Sequence, residues 1–143
     1  MGQADALQVQ WLELFSRYTA TACALDRELQ AHHDLTASEF DVLERLVKQC
    51  TEAQTGCRMQ ELTQAVPLSQ SALSRLVARL EREGLVTREM CSDDRRGIYA
   101  SVTEEGRERY EQARPTQRAV LAEALAGHVE PLAGQPSSVS TSA

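Results

Sequence analysis

Gln70, Ser71, Ser74 and Arg75 lie within six residues, and their side chains carry groups able to read nucleic acid. An amide can pair with adenine, a guanidinium with guanine or phosphate, and a hydroxyl with base edges or phosphate. Ser69 precedes this group and Arg79 follows Arg75 by one helical turn. Further along, Asp94-Arg95-Arg96 sets two guanidinium groups beside a carboxylate. Alone, Asp93-Asp94-Arg95-Arg96 reads as a solvated turn with local ion pairs. Next to a base-reading set, the arginines are expected to reach a narrow, electronegative minor groove, with Asp94 bracing one of them.

Phosphate binding is mostly electrostatic, so a net charge of −6 over 143 residues argues against a general nucleic-acid coat. The distribution changes that conclusion. Residues 1 to 57 hold nine acidic and four basic side chains, a net of −5, and residues 98 to 143 hold six and four, a net of −2. Residues 58 to 97 hold six acidic and seven basic, a net of +1. The acidic excess belongs to the two ends, and the basic side chains of the middle are all arginine.

Other chemistry is thin. Cys23, Cys50, Cys57 and Cys91 form no CxxC pair and read as thiols. Cys57, beside Arg58 at an expected helix start, is the best placed for a lowered pKa and is the redox candidate, while Cys23 and Cys50 read as buried structural thiols. His32 and His33 sit at a helix end that favours a cation, and His128 stands apart, so no metal site is expected. No Gly-rich phosphate loop and no recognisable Ser, His and acid set occurs, which argues against an enzyme, and no cofactor is expected. At 42% hydrophobic and 25% charged, without an apolar run near the roughly 20 residues of a membrane helix, the composition is that of one globular domain. The N-terminus has no basic stretch leading into an apolar core, so a cytoplasmic location is expected.

The elements that must position these groups follow from periodicity. Leu7, Trp11, Leu14, Tyr18, Ala22, Leu25 and Leu29 recur at steps of three and four, with Phe15 widening the stripe, and predict a long amphipathic helix whose apolar face a partner chain would cover. Thr36-Ala-Ser-Glu39 is a capping box opening a second helix with Phe40, Leu43, Leu46 and Val47. A loop over Gln49 to Gly56 precedes a short helix from Arg58 to Val66, halted by Pro67. Ser69 caps a helix running to about Glu83, and Gly84 suits its left-handed C-terminal position. Leu73 and Leu76 face its core side, which turns Gln70, Ser71, Ser74 and Arg75 outward. Val86 to Cys91 and Ile98 to Val102 read as a β-hairpin, and Thr103 caps a last long helix kinked by Pro115. The fold class is thus mainly α with a small β-hairpin wing, a winged helix-turn-helix whose second short helix enters the major groove.

From about Leu7 to Gly106 the chain resembles the MarR family of winged-helix transcriptional regulators. The likeness is strongest through Leu62, Ser69, Ser71, Ser74-Arg75-Leu76-Val77, Leu80 to Val86, Arg88, Asp94-Arg95-Arg96 and Val102 to Gly106. It implies a homodimer joined by the first and last helices, two recognition helices in successive major grooves of a double-stranded operator, and Arg96 in the minor groove supported by Asp94. It further implies repression relieved by a small anionic or phenolic effector bound between the dimer region and the DNA-binding lobes. The corresponding division is 1–35 with 103–132 for dimerisation, 36–102 for DNA binding and 133–143 as a flexible tail. Such chains usually end in a full helix, whereas Gly127 and Pro131 interrupt this one, so a shortened final helix is expected. Pocket candidates are Trp11, Phe15, Arg17, Tyr18, His33 and Phe40, with dimer core preferred for Trp11 and Phe15. Two alternatives stay open: a thiol-based redox regulator of the same fold, and a winged-helix protein-interaction module without DNA binding.

Overall fold

The computed structural model describes residues 2–49, 56–90 and 97–126. Helix α1 (Gln3–His33) ends at Asp34, whose left-handed backbone (φ 53°) donates its N–H to the Leu29 carbonyl. Asp adopts this conformation more readily than most side chains. Helix α2 (Ala37–Gln49) starts in the expected capping box: the Glu39 N–H donates to Thr36 Oγ1 at 3.1 Å and the Thr36 N–H to Glu39 Oε1 at 3.4 Å. A third cap comes from α1, where Asp26 Oδ1 accepts the Ala37 N–H at 2.8 Å.

Helix α3 (Met59–Ala65) gives way to extended backbone at Val66, the conformation that a following proline imposes. Helix α4 (Gln70–Arg82) is capped by Ser69, which accepts the Ala72 N–H, and Gly84 takes the left-handed turn at φ 77°. Strands β2 (Val86–Met90) and β3 (Ile98–Val102) pair antiparallel from Val86↔Val102 to Met90↔Ile98. The expected start of α3 at Arg58 is corrected: Cys57–Arg58 forms a short strand, β1, paired with β3 through Cys57↔Ala100 and Arg58↔Tyr99. The sheet order is therefore β1-β3-β2.

Helix α5 (Glu104–Ala124) runs unbroken through Pro115 and packs along the second half of α1. Its first turn closes tightly on the base of the hairpin. Thr103 donates its N–H to the Leu85 carbonyl and its hydroxyl to the Gly84 carbonyl, and a Cβ on Gly106 would lie 2.1 Å from the Leu85 oxygen. The core joins Leu29 and Leu35 to Phe40 and Leu43 of α2, Leu62 of α3, Leu73 and Val77 of α4, Val86 and Ala100 of the sheet, and Tyr110 of α5. In contrast, Leu7, Trp11, Leu14, Phe15 and Tyr18 on the first half of α1 are exposed in the single chain. The wing tip, Cys50, Cys91 and the expected tail lie outside the described residues, as does the expected end of the last helix at residue 132.

Candidate nucleic-acid interface

Helix α4 divides cleanly into two faces. Leu73, Val77 and Leu80 are buried, and the first half of the opposite face exposes Gln70, Ser71, Ser74 and Arg75, with Ser69 at the cap. At 100° per residue, Ala78 and Arg82 extend this outer strip along the helix. Arg75 and Arg82 make no hydrogen bond or ion pair among the described residues. The first-turn N–H groups of α4 add donors that have no intrahelical acceptor and suit a phosphate. Cationic, hydroxyl and amide groups thus project together from one end of one helix.

The other described arginines of the middle segment, Arg58, Arg79 and Arg88, are engaged. Arg79, expected on the reading face, lies 180° round the helix from Gln70 and turns to α2 instead. Its guanidinium pairs with Glu39 at 3.2 Å and Glu83 at 3.5 Å. Glu39 is only 2% exposed, with one oxygen serving Thr36 and Arg79 and Oε2 buried without a partner. Burial pushes its carboxyl above the usual carboxylate range, against the opposing pull of Thr36 and Arg79. The capping role of Glu39 is readable in sequence. Its burial and its reach to Arg79 are not, because both depend on how α2 and α4 cross. Arg88 of β2 clamps Glu81 of α4 through its guanidinium at 3.1 Å and its backbone N–H at 3.1 Å, and holds the Glu81 carboxyl below its ordinary range. Arg58 donates to the Tyr99 hydroxyl at 2.9 Å. Asp94, Arg95 and Arg96 fall outside the described residues.

Cys57 is corrected as a redox candidate. The residue is 1% exposed, its thiol lies 3.5 Å from Glu61, and burial reinforced by that carboxylate pushes its pKa up to about 11. Arg58, the neighbour that recommended it, faces Tyr99. Cys23, expected to be buried, is exposed on α1 in the single chain.

The pocket candidates separate likewise. Phe40 is corrected from pocket wall to core: it is fully buried and packs against Tyr110 in a tilted ring pair with centroids 5.3 Å apart. His33 meets Thr116 Oγ1 at 2.7 Å, and burial, then His32 and Arg109, lower its pKa. Trp11 and Phe15 lie on the exposed half of α1 with their rings 6.1 Å apart, and Arg17 is half-buried there. Of these candidates, Tyr18 lines a cleft of about 390 Å³ formed, among the described residues, by α1, α2, the turn between α3 and α4, and Leu121 of α5. Among the described residues no group of three or more His, Cys, Asp or Glu could hold a metal ion, and no helix is long and apolar enough to cross a membrane.

Comparison with known proteins agrees with this geometry. The model of the MarR family matches residues 33–97. Sco3205 of Streptomyces coelicolor, a MarR family transcriptional regulator solved in complex with DNA, superposes with a TM-score of 0.78 at 30% identity, covering 87% of this chain and 76% of its own. AbsC, a MarR family regulator of the same organism, gives a TM-score of 0.77 at 27% identity over 92% of this chain and 84% of its own. A helix-turn-helix transcriptional regulator of Bacillus cereus is 33% identical over 109 residues, 76% of this chain and 68% of its own. A chain that shares this helix order, this outward-facing helix and these relatives belongs to the MarR family of winged-helix transcriptional regulators, DNA-binding proteins and not enzymes.

Proposed function

We propose that the protein is a homodimeric repressor that binds a pseudo-palindromic double-stranded operator in the cytoplasm and leaves it when a small molecule occupies the cleft beside α1 and α2. The observation that carries this reading is the outward group at the start of α4, Gln70, Ser71, Ser74 and Arg75, held on a helix whose other face is core. In a two-fold dimer, two such helices enter major grooves one helical turn apart, about 34–36 Å. Ser69 and the α4 N-terminus take phosphate, the four side chains read bases, and Arg95 and Arg96 of the wing follow the adjacent backbone and minor groove with Asp94 in support.

Dimerisation accounts for the apolar half of α1. Leu7, Trp11, Leu14, Phe15 and Tyr18 form one stripe, far too much exposed apolar surface for a lone soluble chain, and a second copy covers it. On this reading residues 1–35 and 103–132 form the dimer region, 36–102 the DNA-binding lobe and 133–143 a tail. The cleft joins the two, since Val66 and Leu68 of the helix-turn-helix turn face Tyr18 and Leu25 of α1 across it.

The test is retention of DNA fragments neighbouring the protein's own gene at two salt concentrations. A reader of DNA loses affinity steeply as salt rises. Arg75→Ala is expected to cost about 1–3 kcal/mol or to relax sequence preference. No fragment retained at any salt would overturn the proposal.

A further inference from the structure

The same cleft has a charge that bears on what fills it. Its volume of about 390 Å³ suits a small organic molecule. Leu25 of α1, Leu68 of the α3–α4 turn and Leu121 of α5 supply apolar walls, and Tyr18 supplies a ring. Two carboxylates line it, Asp26 and Asp41, and among the described residues no Arg, Lys or His does. Asp26 spends Oδ1 on the Ala37 N–H, which fixes the carboxylate at the cleft and leaves Oδ2 for another donor. Asp41 makes no hydrogen bond or ion pair among the described residues.

The basic groups on the adjoining faces are committed elsewhere. Arg118 of α5 donates to Glu44 and Gln117, and Lys48 pairs with Glu44 at 3.6 Å, while Arg45 and Lys48 line a separate cleft on the other side of Asp41. Desolvation by the neighbouring elements, and then the charge of Glu44, raise the carboxyl of Asp41 above its ordinary range against the pull of Arg118, although the residue keeps part of its surface open to solvent. A carboxylate or phenolate ligand would meet two carboxylates, while Arg118, the cation whose charge reaches Asp41, already gives its hydrogen bonds to Glu44 and Gln117. Two carboxylates are also too few ligands for a tightly held metal ion.

We propose that the cleft takes a small organic cation, with a ring or short hydrocarbon body against Leu25, Leu68 and Leu121 and an ammonium or amidinium group at Asp41 and the open oxygen of Asp26. This rests on the reading of the cleft as the effector site and replaces the anion or phenol implied by the family resemblance. The ligand body would touch Leu68, next to the Ser69 cap of the recognition helix, so its arrival bears directly on the reading head.

The experiment titrates the intact protein by calorimetry at neutral pH with naphthylmethylamine and naphthoate, which share a ring system and differ in the sign of their charge. The amine is expected to bind at least about tenfold more tightly, Asp41→Asn to abolish that preference and Asp41→Lys to reverse it. Equal or tighter binding of naphthoate, binding of neither probe, or an unchanged amine affinity in Asp41→Asn overturns the inference. DNA retention is measured separately on the same samples. DNA binding with neither probe bound sinks the cation site and leaves the DNA-binding reading standing; an Asp41-dependent amine preference without DNA release upholds the cation site and sinks effector release.

Discussion

Removing Arg79 tests whether that side chain braces the reading helix or touches DNA. In Arg79→Ala, Glu39, only 2% exposed in the native chain, loses its cationic partner among the described residues, while Thr36 still donates to Oε1. Breaking a fully buried ion pair costs about 3–5 kcal/mol. Here the Arg79 side chain is 47% exposed, so water reaches one side of the pair, and the expected loss falls to about 1–2 kcal/mol. For a domain of this size that corresponds to a fall of about 3–7 °C in midpoint, read by calorimetry at matched protein concentration. The pH dependence has a definite sign. The Glu39 carboxyl lies above its ordinary value of 4.5 in the folded chain, and losing Arg79 raises it further. A raised carboxyl destabilises the fold where it must ionise, so the part of the deficit carried by Glu39 is largest at neutral pH and fades as the pH falls through the raised values of the variant and the native chain. A bracing role also leaves the salt dependence of DNA binding unchanged. Should the midpoint stay put while the salt slope drops by about two per dimer, one phosphate per chain, Arg79 is a DNA contact and the bracing argument fails.

Leu14→Glu, placed in the exposed stripe of α1, is expected to weaken dimerisation at least about tenfold; sedimentation showing an unchanged dimer would move the interface elsewhere. With its pKa pushed up to about 11, Cys57 is about one part in ten thousand thiolate at neutral pH, so peroxide should affect DNA binding equally in the native protein and in Cys57→Ser. Release from the native protein alone would restore the redox reading. Gly106→Ala drives a methyl to 2.1 Å from the Leu85 oxygen and is expected to cost more than about 3 kcal/mol in urea unfolding, whereas a change under about 1 kcal/mol would mean that the α5 start shifts freely.

What the sequence made legible was mostly local. The Thr36 and Glu39 box, the Ser69 cap, the left-handed Gly84 and the pairing of Val86 to Met90 with Ile98 to Val102 are set by contacts a few residues apart or by one turn. What escaped depends on distant neighbours. Strand β1 is two residues long and exists only because Cys57 and Arg58 meet Ala100 and Tyr99. Phe40 carries no mark in its own helix that separates core from pocket; Tyr110, seventy positions on, decides it. Cys57 has an arginine beside it in sequence, yet that guanidinium goes to Tyr99, and burial, reinforced by the Glu61 carboxylate one turn later, pushes the thiol up. Asp26 and Asp41 have no special spacing and share a cleft because α1 and α2 fold together around it.

The join between Thr103, Gly84, Leu85 and Gly106 makes α5 a stiff arm clamped to the far end of the recognition helix. Its 21 residues span about 31 Å. Because the Leu85 carbonyl is gripped by Thr103 and crowded by Gly106, the joint has little room to flex, and an angular change in the arm is carried to α4 almost whole. A swing of about 5° over that length displaces the reading head by nearly 3 Å, close to the rise of one base pair. In the proposed dimer, register on the operator would therefore follow the angle at which two such arms meet.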